Sequence, residues 1–351
     1  LARFAGKVTA LLVQFTDYNG PSIEKAEIFV ATATLMCQTN LPANPYFSIM
    51  GQQKVLITGG SGLLGQRLTR LLQLNGYTVE HLGRRAGNKQ GIVTHAWNPA
   101  KGEIDTQALV GVDHVVHLAG AGVADKPWSA ARKQEIRDSR TQGTRLLVDA
   151  LAQLEHRPQS FISASAIGYY GNAGKVLCTE ESAVGSDFLA SVCADWEAAA
   201  QPADAFTRLC VVRIGIVLST EGGALPKMML PFRFFAGGVL GSGKQMMSWV
   251  HIDDLCDMFL FLLENKETKG IYNGVAPLPV EHYTFMKALG KAMQRPLWMV
   301  VPAFALRLAL GEMADTVLGS QFVSNEKIQQ LGFRFKHETV YNALASLLQK
   351  G

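Results

Sequence analysis

The chain has 351 residues, 48% hydrophobic and 18% charged, enough at about 150 residues per domain for two domains or one large α/β domain with appendages, and too apolar for a mainly unstructured chain. Its formal charge of +4, from 33 basic against 29 acidic residues, is spread along the length with no block of like charges, so no nucleic acid partner is expected. The longest apolar stretch, residues 28–37, is far short of the roughly 18 residues of a spanning helix, so no membrane segment and no membrane partner are expected.

In chain order, residues 1–49 show no sustained hydrophobic period and begin with Leu; they read as an N-terminal extension, dispensable to the folded protein. Arg3 and Lys7 precede a short apolar run over 9–15, too short and without a clear cleavage site for a secretory signal. From Met50 the signals sharpen. A β-branched strand over 54–58 runs into glycines and then into Leu63, Leu64, Leu68, Leu71 and Leu72 at helical spacing. Strands follow over 77–82, 92–97 and 113–119, then a helical pattern over 128–154, a strand over 159–163, a helix over 188–200 and a strand over 208–214. Beyond about residue 220 the pattern loosens into helices over 254–264, 280–293, 302–312 and 341–350, separated by Gly/Pro loops. This alternation predicts an α/β protein. It reads as a Rossmann-type doubly wound parallel sheet over 50–220, to which some later segments return, with a smaller, mainly helical C-terminal lobe for substrate over 221–351.

The five cysteines, Cys37, Cys178, Cys193, Cys210 and Cys256, are scattered and include no C-x-x-C pair. They point to a reducing, cytoplasmic setting and to no metal site.

The segment 55–65 (VLITGGSGLLG) carries the strongest signal. Gly59, Gly62 and Gly65 have the spacing G-x-x-G-x-x-G between a strand and a helix. That context suits a dinucleotide: glycines allow the sharp turn, the approach of the backbone to a pyrophosphate and close helix–strand packing, and the helix N-terminus offers unpaired N–H groups to the anion. At the end of the second strand, where a carboxylate would accept from the ribose hydroxyls of NAD, stand Gly83, Arg84 and Arg85. A guanidinium there pairs with a 2′-phosphate, so NADP is expected in preference to NAD.

Ordered blocks run from Met50 to the end: 58–65 (TGGSGLLG), 115–120 (VVHLAG), 124–128 (ADKPW), 163–171 (SASAIGYYG), 195–197 (DWE), 213–218 (RIGIVL), 248–254 (SWVHIDD), 310–313 (LGEM) and 331–333 (LGF). Through them the chain resembles the atypical extended short-chain dehydrogenase/reductases, and within these the NAD-dependent epimerase/dehydratase-like "epimerase family" group. The resemblance does not reach residues 1–49. It implies that Gly59, Gly60, Ser61, Gly62, Leu63, Leu64 and Gly65 hold the cofactor, and that Gly83 and Arg84, with Arg85, meet its 2′-phosphate. It also implies that Leu118, Ala119 and Gly120 pass beside the adenosine, that Glu135 and Arg140 reach the cofactor from the long helix, and that Val217 lies near the nicotinamide. Relatives of this kind often form homodimers. Asp253 and Asp254 read most simply as N-caps of the following helix.

Enzymes of this superfamily carry Tyr-x-x-x-Lys on the helix after the fifth strand, the lysine lowering the tyrosine pKa for proton transfer. With 195–197 in register, Leu189 replaces that tyrosine and Cys193 the lysine. Cys193 reads as a small buried hydrophobe rather than a reactive thiol. Ser165 is retained at the strand end, and Tyr169 and Tyr170 follow it; either phenol is a candidate for proton transfer, although tyrosines there also read as packing. The arginine that binds substrate pyrophosphate in nucleotide-sugar enzymes is Met247 here, with Lys244 a nearby charge. The expected function is an NADP-dependent oxidoreductase or epimerase acting on an unidentified small molecule, a sugar being one case. The alternative is a non-catalytic, NADP-binding regulator.

Overall fold

In the computed structural model, which describes residues 53–348, the sheet grows outward from a strand buried on both faces. Strand β1 (Lys54–Thr58) has Val55, Leu56 and Ile57 wholly inaccessible, as expected of a central strand in a parallel sheet covered on both sides. It is followed by α1 (Leu63–Leu74), β2 (Thr78–Gly83), β3 (Ile92–Asn98), β4 (His114–His117), α2 (Ala130–Ala152), β5 (Ser160–Ala166), α3 (Phe188–Ala200) and β6 (Arg208–Ile214). The later elements used below are α4 (Leu225–Arg233), α5 (Ile252–Glu264), β7 (Gly270–Gly274), α6 (His282–Met293), α7 (Ala303–Leu310) and α8 (Val340–Leu348).

The spatial order is β7-β6-β5-β4-β1-β2-β3, every pair parallel, with the short strand Gly87–Lys89 antiparallel on the β3 edge. Strand order reverses between β1 and β4, and in open α/β sheets a ligand crevice opens at that reversal, beyond the carboxyl ends of the strands. Alternate residues of β1 feed separate cores. Val55 and Ile57 pack with Leu68 and Leu72 of α1 and with Leu255, Phe259 and Leu262 of α5. Leu56 packs with Val115, Phe161, Leu147 and Leu151 under α2 and α3. Burial of each such side chain contributes about 1.5–3 kcal/mol. A third core joins Leu225 and Phe232 of α4 to Trp249, Phe285, Leu289 and Leu344.

The Rossmann-type sheet and the helical C-terminal region are as the sequence predicts, and the differences have local causes. The expected strand 113–119 stops at His117, because the Leu118 and Ala119 N–H groups turn to the Thr58 hydroxyl at 3.1 and 3.2 Å. The expected strand 159–163 continues to Ala166. Asp253 and Asp254 are not the caps of α5. His251 is, its Nδ1 accepting from the Asp253 N–H at 3.1 Å, while buried Asp254 accepts the backbone N–H groups of Lys336 and His337 at 3.0 and 2.9 Å. Strand β7 has no expected counterpart, since three of its five residues are Gly, Asn and Gly, poor strand formers. It pairs along β6, so β7 and α5 join the main sheet although they follow residue 220. Short two-stranded ribbons lie between the C-terminal helices, Gly237–Leu240 with Leu297–Val301 and Met246–Met247 with Val280–Glu281. Cys178, Cys193, Cys210 and Cys256 are buried free thiols. No helix among the described residues is long and apolar enough to cross a membrane. The extension expected over 1–49, Cys37 and the end of the helix expected over 341–350 lie outside the described residues.

Candidate cofactor and active site

The loop between β1 and α1 turns at Gly59, whose φ is +71°, in the left-handed region that glycine enters freely. A side chain there would meet the backbone of Leu118 and Ala119 at 3.0 Å. At Gly65 a Cβ would come within 2.4 Å of the Gly59 carbonyl oxygen, so no larger residue lets α1 approach the turn. Helix α1 starts at Gly62 with no side-chain cap and no acid in its first turn, while Ser61 and Gly62 are exposed. Uncapped N–H groups facing outward suit a pyrophosphate.

Behind this loop a buried chain of hydrogen bonds sets the second wall. The Thr144 hydroxyl donates to the Arg140 carbonyl at 2.6 Å, so it accepts from His117 Nε2–H at 2.9 Å. His117 Nδ1 then accepts from the Thr58 hydroxyl at 2.7 Å, whose oxygen takes the N–H groups of Leu118 and Ala119. This network assigns the neutral Nε2–H tautomer. Burial pushes the His117 pKa down to about 3. A depressed folded pKa makes the unfolded chain the better proton acceptor, so stability present above the unfolded value is lost as pH falls. The stability of the folded chain is expected to fall between about pH 6.5 and 3, by on the order of 1.4 kcal/mol per unit at most from this group. Denaturant midpoints measured across that range should show a shallower slope for His117→Asn than for the unaltered protein; an unchanged slope would refute the assignment.

At the end of β2, Arg84 and Arg85 are exposed and have no acidic partner among the described residues. The only carboxylate on β2, Glu80, is held by Lys54 at 2.7 Å and His95 at 2.8 Å. Among the described residues no free carboxylate of β2 is left to repel a phosphate at this strand end. Arg140 lies under Gly120, where a Cβ would be 3.1 Å from its guanidinium carbon. Its Nη1 donates to the carbonyls of Ala121 and Ile136, each at 3.0 Å, and its guanidinium covers the Trp196 ring at 5.0 Å. Glu135 is exposed and pairs with Arg132 at 2.7 Å, and Arg132 in turn holds the Gly122 carbonyl. The Glu135 carboxylate thus braces the 120–125 loop. Val217 lies on Ile216–Leu218, paired with Trp249–His251, in a loop that returns to Leu63: a Cβ at Gly223 would meet the Val217 carbonyl at 3.7 Å and the Leu63 side chain at 3.5 Å. The glycine loop, the arginine pair, Leu118 to Gly120 and Val217 therefore share one rim of the sheet.

Ser165, near the end of β5, is buried, and its hydroxyl donates to Glu197 Oε1 at 2.7 Å. Arg213, at the end of β6, clasps the same carboxylate through Nε at 2.9 Å and Nη2 at 2.8 Å. Its Nη1 donates to the Tyr170 hydroxyl at 3.0 Å and to the Glu180 carbonyl at 3.1 Å. Tyr170 donates onward to Asn273 Oδ1 of β7 at 2.7 Å.

The two candidate tyrosines have different settings. Tyr170 is buried, its hydroxyl is engaged on both sides, and burial pushes its pKa up to about 12. Tyr169 differs. Its ring lies on the Arg213 guanidinium, 3.4 Å from the guanidinium carbon, and its hydroxyl has no hydrogen-bond partner among the described residues. The Cys193 thiol is buried and pushed up to about 11 by burial and by the Glu197 charge, so it stays protonated and unreactive. Leu189 and Cys193 pack under the turn before Tyr169, 3.5 and 3.6 Å from a Cβ placed at Gly168.

Sequence reasoning assigned no role to Glu197, Arg213 or Asn273. One signal was available: in the strand RLCVVRI the second arginine, Arg213, follows four apolar residues, and an arginine so placed needs a buried partner. Among the described residues no cluster of His, Cys, Asp or Glu is arranged to hold a metal.

The sequence model of the NAD dependent epimerase/dehydratase family matches residues 55–273. The chain belongs to that family. A domain of unknown function, DUF1731, matches residues 301–347, so the family fold carries its own C-terminal module here. An Arabidopsis thaliana protein named epimerase family protein SDR39U1 homolog, chloroplastic, is 38% identical over 304 residues, 85% of this chain and 87% of that one. An epimerase family protein of Mycobacterium leprae is 39% identical over 294 residues, 83% of this chain and 94% of its own. Among solved structures, human epimerase family protein SDR39U1 (isoform 2), determined with NADPH, superposes with a TM-score of 0.77 at 29% identity, covering 85% of this chain and all of that one. UDP-glucose 4-epimerase of Thermotoga maritima, at 17% identity and a TM-score of 0.70 over 85% of this chain and 98% of its own, shares the fold. The matched span begins on β1 and includes the glycine loop.

Proposed function

We propose that this epimerase family chain is an NADP(H)-dependent oxidoreductase or epimerase acting on a small hydroxyl- or carbonyl-bearing substrate, with a proton route that bypasses Tyr-x-x-x-Lys. One observation carries the cofactor reading: Arg84 and Arg85, at the end of β2, have no acidic partner among the described residues, and the α1 N-terminus after the neighbouring strand β1 is uncapped. The human relative determined with NADPH supports it. Bound there, the dinucleotide supplies or accepts a hydride. The protein's own residues handle the proton. The Ser165 hydrogen is directed to Glu197; in this reading the Ser165 oxygen accepts from a substrate hydroxyl, and a proton leaving that hydroxyl passes to Ser165 as the Ser165 proton passes to Glu197. Arg213 fixes the Glu197 carboxylate in place at 2.8 Å, with Oε1 against the Ser165 hydroxyl. Tyr169 supplies the available phenol beside this pair.

NADPH is expected to bind at least about tenfold more tightly than NADH, and Arg84→Ala to erase most of that difference, since charge-assisted contacts contribute about 1.5–3 kcal/mol. Calorimetric titration of both cofactors against both proteins measures this. Equal affinities in the unaltered protein would end the NADP reading.

A second reading, a regulator that binds NADP without turnover, is favoured by Leu189 and the protonated Cys193 at the positions of the missing pair. Oxidation of NADPH by a panel of small carbonyl compounds separates the two. Any saturable turnover excludes the regulator. We further propose that the chain forms a homodimer, as the resemblance to its relatives implies.

A further inference from the structure

Away from the cofactor rim, the ribbon Gly237–Leu240/Leu297–Val301 and the helices flanking it present large apolar side chains outward. Phe234 is 75% exposed, Trp298 69%, Phe304 74% and Leu308 88%, with Phe235 and Val300 also more than half exposed. They are linked locally. Trp298 Nε1–H donates to the Phe235 carbonyl at 2.8 Å, and Trp298 and Val300 are alternate residues of one strand, both turned outward. Phe304 and Leu308 stand one turn apart on α7, where only Leu306 is buried. Phe235 itself has φ +57°, a strained conformation for an aromatic residue, and strain of this kind concentrates at functional surfaces. Soluble proteins leave isolated apolar side chains exposed as a matter of course, but a linked set of this size marks an interaction surface.

Cations outnumber acids in the segments that build this patch. Residues 222–252 contain three Lys or Arg and residues 282–311 four, and neither segment contains an Asp or Glu. Arg233 immediately precedes Phe234, the Arg295 guanidinium covers the Phe235 ring at 4.5 Å, and Arg307 lies beside Leu308. Among the described residues only Arg307 of this set has an acidic partner, Asp315 at 3.5 Å. A second copy of the chain would bring like charges together, which disfavours self-association through this face. The outward side chains other than the cations also offer no hydrogen-bonding group, since the Trp298 indole N–H is already engaged. Aromatic and aliphatic tips set among basic side chains match a phase that is apolar below and anionic above.

We propose that this face docks the protein on an anionic lipid membrane, with Phe234, Trp298, Phe304 and Leu308 entering the headgroup boundary and the arginines meeting lipid phosphates. The contact is peripheral and independent of the cofactor reading.

The test is cosedimentation of the full chain with vesicles of phosphatidylcholine alone or containing one quarter phosphatidylglycerol. Binding is expected to the anionic vesicles only, weakening as salt rises from about 0.1 to 0.5 M, where screening shortens the reach of the charges. Trp298→Ala with Phe304→Ser, and separately Arg295→Glu, should each lower the partition coefficient by about tenfold. Arg295→Glu changes a half-buried side chain whose only hydrogen bond among the described residues runs to the neighbouring Gln294 carbonyl, so it keeps the test valid if the aromatic pair also lowers the melting temperature. The proposal fails if the unaltered chain ignores anionic vesicles. It also fails if both variants bind as well as the unaltered chain, or if the chain is dimeric without lipid and Trp298→Ala makes it monomeric.

Discussion

Replacing Glu197 with alanine is expected to destabilise the protein by about 3–5 kcal/mol, because it strands the Arg213 guanidinium in the interior. Arg213 is 1% exposed and Glu197 12%, so water cannot take over the lost carboxylate. The remaining acceptors of Arg213, the Tyr170 hydroxyl and the Glu180 carbonyl, are neutral. Urea titration should show the loss as a lowered midpoint at unchanged slope. Pairing Glu197→Leu with Arg213→Met should restore a large part of it, since a buried ion pair replaced by apolar residues of similar volume is often neutral. A Glu197→Ala protein as stable as the unaltered one would mean that the pair is not closed in solution.

Turnover is expected to divide the three candidate hydroxyls. With any carbonyl substrate that the protein reduces, Ser165→Ala should lower kcat by roughly 10²- to 10⁴-fold, the usual range for loss of a proton-transfer group. Tyr169→Phe should lower it within the same range. NADPH affinity should be retained in both, because neither side chain belongs to the glycine loop or the arginine pair. Tyr170→Phe should keep kcat near that of the unaltered protein and instead cost about 1–3 kcal/mol of stability, through the partners it leaves at Arg213 and Asn273. Normal kcat for Ser165→Ala would place the reaction elsewhere in the fold. A large kcat loss for Tyr170→Phe at unchanged stability would reverse the roles of the two tyrosines.

What could be read in advance was what is encoded over short spans. The strand–glycine–helix segment around Gly59 announces itself because turn, helix start and anion site depend on residues within one short stretch. The boundaries of α3 and β6 come directly from hydrophobic period, which local sequence carries in full. The absence of Tyr-x-x-x-Lys is equally plain, since those two positions share one helix face. Strand β7 is the opposite case. Its Gly-rich sequence carries little strand preference, and it is held by its pairing with β6.

The proposed catalytic neighbourhood belongs to the same class. Ser165, Glu197, Arg213, Tyr170 and Asn273 come from separate elements, with hydrogen bonds joining residues 32, 43 and 103 apart in the chain. No periodicity links such positions; each side chain acquires its role from what the folded sheet sets beside it. Two adjacent tyrosines that look equivalent in sequence thus part company, Tyr170 fastened in the interior by a residue of β7 and Tyr169 left with its hydroxyl available. The outward aromatic face joins the α4 end to the strand before α7 in the same way. Short-range pattern determines which residues can form strands, helices and a phosphate turn, whereas burial and pairing across the tertiary fold decide which polar groups remain available for chemistry.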